Sequence, residues 1–369
     1  MARHVVHLVY RFAAGGLENV IVQLVNGLPH DAFRHTIIAL TVADPAFVSR
    51  IERKDVTIIE LHKPPGQPFG LYREAFRLLR SLQPDVVHSC NLAALEFQPV
   101  AWAAGVARRV HAEHGWDVAD PQGMNQRFRW LRRLYKHFVQ RFIAVSPQLR
   151  DYLAGPIGVP SDRIALLPNG VDVERFRSKR EGAGVPSDFP FLNSDELVIG
   201  YVGRFEPIKN PELLLEAFGL IASGPSAIAN RVRLVMVGAG PLQSAIAERA
   251  AQLGLSARIW LPGARSDVAD VLRALHCFVL PSLSEGTSCT LLEAMASEIP
   301  VVATDVGGNR DVLDDGRLGQ LVPSQDHVAL AAAIVSTLTS APDTQPARTK
   351  VVSEYSLPAM LGHYVNVFS

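Results

Sequence analysis

Short apolar runs recur through the first 170 residues at 5–9, 36–40, 57–61, 86–88, 109–112, 142–145 and 164–167. Longer stretches with helical spacing lie between them, for example 17–28 and 71–82. Brief apolar runs alternating with amphipathic ones predict βαβ units around a parallel sheet. The pattern breaks over 172–195, where Ser178-Lys179-Arg180-Glu181-Gly182-Ala183-Gly184-Val185-Pro186 is rich in charge, glycine and proline. A second series follows, with strands expected at 198–202, 233–237, 258–261, 278–280, 301–303 and 321–322. The predicted architecture is α/β, with two Rossmann-like domains facing across a cleft. The expected divisions are 1–170, a linker at 171–195, a second domain at 196–345 and a C-terminal segment at 346–369. Open α/β sheets bind ligands beyond the carboxyl ends of their strands, so chemistry is expected there.

The length of 369 residues agrees with two hydrophobic cores rather than one. At 48% hydrophobic and 20% charged residues, general disorder is excluded. Basic and acidic residues both number 36, so no global charge favours nucleic acid. The halves differ, however. Residues 1–170 carry 20 basic and 14 acidic side chains (+6), and the remainder carries 16 and 22 (−6). The first half therefore suits an anionic surface or a phosphate-bearing acceptor. The cysteines, Cys90, Cys277 and Cys289, show neither disulfide arithmetic nor zinc-ligand spacing, which points to a reducing compartment. His4-Val5-Val6-His7-Leu8-Val9 reads as a strand rather than a secretion signal. No apolar run spans a bilayer. The expectation is a cytoplasmic protein, soluble or peripheral at the inner face of the membrane.

Four motifs stand beside predicted strand ends. Gly15-Gly16-Leu17-Glu18 opens a helix after the first strand, where glycines permit close backbone approach and free N–H groups suit a phosphate. A tight turn is the plainer reading. Gly238-Ala239-Gly240-Pro241 lacks the third glycine of a dinucleotide fingerprint, since Gln243 stands in its place. It reads as a turn with Pro241 at a first helical position. Gly203-Arg204-Phe205-Glu206-Pro207-Ile208-Lys209 places a planar guanidinium and a mobile ammonium together, a pair that can grip a diphosphate or simply be solvated. The last motif, Glu285-Gly286-Thr287-Ser288-Cys289-Thr290-Leu291-Leu292-Glu293, sets two carboxylates eight positions apart around a helix N-terminus expected near Gly286. Carboxylates accept hydrogen bonds from rings of hydroxyls, although an acid at a helix start also complements the dipole.

Together these runs resemble the family 4 retaining glycosyltransferases of the GT-B fold. Ala294-Met295-Ala296-Ser297, Val306-Gly307-Gly308-Asn309, Leu321-Val322-Pro323 and Pro168-Asn169-Gly170-Val171-Asp172 fit the same family, in order along nearly the whole chain. Val9-Tyr10-Arg11-Phe12, Leu61-His62-Lys63-Pro64-Pro65-Gly66, Asn91-Leu92-Ala93-Ala94-Leu95-Glu96 and Trp130-Leu131-Arg132-Arg133-Leu134-Tyr135 resemble sugar transferases of PEP-CTERM/exosortase exopolysaccharide loci. The resemblance implies that Arg204 and Lys209 bind the donor diphosphate, Glu285 the sugar hydroxyls and Glu293 the ribose. Gly15 and Gly16 would face the diphosphate. The loop at Arg265 would pair its backbone with the base, and Gly286, Thr287, Ser288, Cys289, Thr290 and Leu291 would line the donor site. His114, in Glu113-His114-Gly115-Trp116-Asp117, matches the active-site histidine. Glu18, Asn91 and Trp116 fall on the acceptor side. The family also implies that 355–368 forms a helix returning to the first domain. Two departures stand out: Glu298 replaces a glycine, and Cys90 replaces a usual His or Arg.

No Asp-x-Asp occurs in the chain, so charge neutralisation is expected from Arg204, Lys209 and helix N-termini, with no metal and no cofactor beyond the nucleotide-diphosphate sugar. The implied reaction retains anomeric configuration. It moves sugar from a UDP- or GDP-sugar to a growing exopolysaccharide or polyprenyl-linked glycan. Over 127–138, Phe128, Leu131, Tyr135 and Phe138 share one helical face, and Arg129, Arg132, Arg133 and Lys136 spread over the other. A solvated basic face explains this; contact with an anionic membrane is the alternative. A nicotinamide oxidoreductase would need the missing fingerprint. A sugar-nucleotide epimerase of the same architecture is the nearest rival, and a non-catalytic nucleotide-binding protein leaves Glu285 without a purpose.

Overall fold

The computed structural model describes residues 2–64, 69–117, 119–120, 122–178 and 184–369. Pro65 and Gly66 of the exopolysaccharide-type motif, and Lys179–Ala183 of the expected linker (179–183), lie outside the described residues. The chain forms two compact units, Met1–Gly170 with Leu357–Ser369, and Val171–Ser356.

In the first unit the strands are β1 (Arg3–Val9), β2 (Phe33–Ala39), β3 (Thr57–Glu60), β4 (Val86–Cys90), β5 (Arg108–Glu113), β6 (Arg141–Ala144) and β7 (Ile164–Leu166). They pair in parallel in the order β3-β2-β1-β4-β5-β6-β7. Strands covered on both faces read as continuous apolar runs, which is why their positions follow so closely from hydropathy. Leu71, Ala75 and Leu79 of the helix Phe69–Leu82 cover one face. Val20 and Leu24 of Gly16–Gly27, with Met360, Tyr364 and Phe368 of Leu357–Phe368, cover the other. Order reverses between β1 and β4, so the switch point of this sheet lies at their carboxyl ends.

The second unit holds β8 (Leu197–Val202), β9 (Val232–Val237), β10 (Ile259–Gly263), β11 (Cys277–Leu280), β12 (Val301–Thr304) and β13 (Gln320–Val322). Their parallel order is β10-β9-β8-β11-β12-β13, with its switch point between β8 and β11. Leu214 and Phe218 of Pro211–Ser223, with Leu330 and Ile334 of His327–Ser340, pack one face. Leu291 and Met295 of Cys289–Ala296 pack the other.

Three expectations need adjustment. The run 171–195 is not a free linker, because Phe176 and Phe189 are buried in the second unit's core. Residues 346–356 also stay with that unit: Ala347 and Val351 of the helix Gln345–Glu354 join the same core, and only Leu357–Ser369 belongs to the first. Pro241 is not a first helical residue, since the helix begins at Gln243.

Candidate active site

At the switch point of the second unit, three loops are locked together by backbone contacts. A Cβ on Gly238 would sit 1.8 Å from the Gly203 carbonyl oxygen, and one on Gly240 would sit 2.5 Å from that of Phe205. The paired glycines therefore exist to let the loop after β9 lie against the loop after β8, which Phe205 and Leu242 N–H groups stitch to it. Leu283 N–H donates to the Ile208 carbonyl at 2.9 Å, joining the loop after β11. Gly307, at φ +53, abuts the Glu285 carbonyl so closely that a Cβ would stand 1.9 Å from it.

Within this frame Lys209 Nζ donates to both carboxylate oxygens of Glu285, at 2.7 and 2.8 Å. Ser282 Oγ donates to the same carboxylate at 2.6 Å. Glu285 is buried while Lys209 keeps partial access to solvent. The pair thus presents one cation and one multiply bonded carboxylate at the edge of the sheet, a constellation able to receive a phosphate and a hydroxyl side by side. Arg204 is exposed nearby in the chain and pairs with Glu206 at 2.8 Å, while Tyr201 Oη donates to the Arg204 carbonyl. The sequence reading identified Arg204, Lys209 and Glu285 but missed Ser282 and Tyr201, which steady them. A serine three positions before a glutamate carries no signal of its own.

The helix after Glu285 begins at Cys289, not near Gly286. Ser288 caps it, accepting from Leu291 N–H at 3.4 Å, so that N–H is already engaged and the Leu291 side chain is core. Gly286 contributes its carbonyl to Gly308 N–H, Thr287 is buried, and Thr290 Oγ1 lies 3.3 Å from Ser288 Oγ. Cys289 is half-buried and in no disulfide, and Glu293 is half-buried in the second helical turn. Arg265 is held as a bracket, with its guanidinium donating to both Asp188 and Asp267 and lying 5.1 Å from the Trp260 ring centroid. Any contact of that loop with a base would therefore come from its backbone. Glu298, which replaces the family's glycine, adopts φ +56, where glycine is favoured, and its carboxylate accepts from Ser178 Oγ at 2.9 Å.

In the first unit, Gly15 precedes the helix Gly16–Gly27 in extended backbone, and Glu18 Oε2 occupies the space a Gly15 Cβ would need, at 2.2 Å. Asn91 adopts φ +58 directly after β4 and accepts from the His114 N–H at 2.8 Å. It ties the end of β5 to the end of β4. His114 has both ring nitrogens buried without a hydrogen bond of good geometry. Burial lowers its pKa to about 4, although the nearby Asn169 side chain favours the charged form, so the imidazole is neutral at pH 7. Trp116 is a packing residue: its ring stacks edge-on against Tyr152 at 4.9 Å and fills the space beside Gly123.

The basic helix Gln126–Tyr135 also needs correcting. Arg132 does not face outward. It is 3% exposed and donates to Glu113 at 2.6 and 3.1 Å and to Asp117 at 2.9 Å. Burial alone would raise the Glu113 pKa, but the Arg132 charge and hydrogen bonds from Arg132 and His111 pull it down to about 2. Arg129 is half-buried, its Nε donating to the Gly123 carbonyl, and Lys136 donates to the Ile157 and Gly158 carbonyls. Arg133 remains exposed and donates to the Pro156 carbonyl. Trp130 and Leu134 are exposed on the same helix, 59% and 43%. Among the described residues, no helix is long and apolar enough to cross a membrane.

Comparison with known proteins bears on the family and the fold. Residues 14–175 match the family described as Glycosyltransferase Family 4, and residues 196–340 match that described as Glycosyl transferases group 1. A UDP-Gal:alpha-D-GlcNAc-diphosphoundecaprenol alpha-1,3-galactosyltransferase of Escherichia coli is 27% identical over 264 residues, covering 70% of this chain and 68% of that enzyme. A D-inositol 3-phosphate glycosyltransferase of Catenulispora acidiphila is 35% identical over 213 residues, 54% of this chain and 48% of its own length, so the match spans about half of that relative. Among solved structures, Anabaena HepE in complex with UDP and glucose superposes with a TM-score of 0.80 at 20% identity, covering 99% of this chain and 98% of that one. With two parallel-sheet units of the GT-B fold and both halves matched in order, the chain belongs to the family 4 glycosyltransferases.

Proposed function

We propose that the protein transfers a sugar from a UDP-sugar to a lipid-linked or growing polysaccharide acceptor with retention of anomeric configuration. The observation that carries this reading is the Lys209–Glu285–Ser282 constellation at the β8/β11 switch point. Lys209 and Arg204 would bear the charge that develops on the departing diphosphate, a kind of electrostatic stabilisation whose removal typically costs on the order of 10²–10³ in rate. Once a diphosphate engages Lys209, the Glu285 carboxylate is released toward donor hydroxyls, and Glu293 would accept from the ribose. UDP is preferred over GDP because the similar HepE structure holds UDP and glucose. An undecaprenyl-linked acceptor is favoured by the name of the Escherichia coli relative. His114, neutral and half-buried beside the end of β5, is suited to accept or donate a hydrogen bond to the sugar without bearing charge.

For the acceptor, a membrane surface is supported by Trp130 and Leu134 exposed beside Arg133, an interfacial aromatic and an aliphatic flanked by a cation. Each basic residue near an anionic surface contributes about 1 kcal/mol. Thermal unfolding with UDP, GDP and NAD tests the donor reading. A nucleotide at 100 times its Kd stabilises the folded state by about 2.7 kcal/mol. UDP should raise the midpoint of the intact protein and leave Lys209→Ala unmoved; a shift with NAD alone would overturn the reading.

A further inference from the structure

The switch point of the first unit carries a cluster of which only His114 figures in the proposed transfer reaction. His88 and Cys90, two apart on β4, point to the same face, and His114 follows β5 beside them. One ligand atom from each of the three lies within 4.8 Å of the others. Cys90 Sγ stands 3.8 Å from His88 Nε2, and Cys90 is a free thiol. Both ring nitrogens of His114 are buried, and the Asn169 side chain interacts with the ring.

Behind His88 runs a line of imidazoles that orients it. His88 Nδ1 lies 3.1 Å from His7 Nδ1, and His7 Nε2 lies 3.1 Å from His35 Nδ1. A neutral imidazole carries one N–H and one lone pair. One consistent assignment has His88 Nδ1–H donating to His7 and His7 Nε2–H donating to His35. It leaves the His88 Nε2 lone pair unengaged by the line, and the Cys90 sulfur lies beside the ring, 3.8 Å from Nε2 and 4.0 Å from Nδ1. Histidine ligands of metals are usually held through the other ring nitrogen in this way.

We propose that His88, Cys90 and His114 bind a single zinc ion, or another soft-to-borderline divalent cation, at the carboxyl ends of β4 and β5. Imidazole nitrogen and thiolate sulfur are zinc's usual donors, and three protein ligands leave a fourth position for water. As the sulfur–metal bond forms, the thiol proton passes to solvent. Cys90 departs from the family's usual His or Arg, so the site would distinguish this chain. On the reading that His114 serves the donor sugar, a bound ion occupies that histidine and inhibits transfer, so it is a ligand of the first unit and not a cofactor of the reaction.

The test is titration of the metal-free full chain with Co²⁺, read by the thiolate-to-cobalt charge-transfer band in the near ultraviolet. The site predicts a band saturating at one equivalent and abolished by competing Zn²⁺. It should vanish in Cys90→Ala and in His114→Gln, and persist in Cys289→Ser, with far-ultraviolet circular dichroism confirming that each variant is folded. Absence of a band in the folded wild-type chain overturns the proposal. So does a band that survives Cys90→Ala or His114→Gln. Because the readout involves neither nucleotide nor transfer, either result leaves the donor reading to stand or fall on its own test.

Discussion

Arg132→Ala offers a sharp test of how the first unit is held together. The substitution removes the guanidinium that satisfies both oxygens of Glu113, a carboxylate 1% exposed, and leaves His111 as its remaining side-chain partner at 3.3 Å. Breaking one side of a buried ion pair typically costs about 3–5 kcal/mol, because the abandoned charge stays desolvated. The depressed Glu113 pKa gives a similar scale: a fall from 4.5 to about 2 corresponds to roughly 3 kcal/mol of stabilisation of the carboxylate form. Since the folded-state value is the lower one, this contribution is fully present above the unfolded pKa and is lost as pH falls through the range from about 4.5 to about 2. The assay is urea and thermal unfolding at pH 7 in EDTA, following the transition of the first unit, with Arg133→Ala as control. For a unit of this size each kcal/mol moves the midpoint by about 2–4 °C, so Arg132→Ala should lower it by roughly 6–20 °C. Arg133→Ala should stay within about 0.5 kcal/mol, as exposed substitutions do. Equal, small losses in the two variants would refute the burial argument.

Other substitutions probe different parts of the molecule. Gly307→Ala forces a Cβ into the Glu285 carbonyl and should lose transfer activity by at least tenfold while circular dichroism stays native, checked by kinetics with a UDP-sugar. Phe368→Ala empties a fully buried ring position against the β1–β4 face and should cost about 3–5 kcal/mol in urea unfolding. Glu298→Gly relieves a left-handed backbone at the expense of the Ser178 and Arg348 contacts, so its unfolding free energy should change by less than about 1 kcal/mol. Trp130→Ala with Leu134→Ala should weaken sedimentation with anionic vesicles, whereas the Arg132 side chain, being inside, makes no direct contact with lipid.

The thirteen strands among the described residues were all legible because buried parallel strands leave brief apolar runs between turn residues, and that signal does not depend on topology. Boundaries were less so. Phe176 and Phe189 anchor 171–195 to the second core, but two aromatics among charges, glycines and prolines do not stand out from a linker. Arg132 was misplaced for a similar reason. Helical spacing puts it on the polar face, and only the end of β5 shows that Glu113 waits there to neutralise it. The loops carrying Lys209 and Glu285 could be named from motifs, yet their contact depends on β8 and β11 being neighbours, which is a fact of sheet order. The imidazole line stayed invisible for the same cause. His7 and His88 are far apart in sequence and meet only through the β1–β4 register.

The most direct measurement is transfer itself: labelled sugar from a UDP-sugar, incubated with undecaprenyl-linked glycan acceptor, followed into the lipid fraction. The account predicts acceptor-dependent label and UDP release with the intact protein, both reduced at least a hundredfold in folded Lys209→Ala and Glu285→Gln. Interconversion of the sugar nucleotide without an acceptor, or transfer undiminished in both variants, would contradict it.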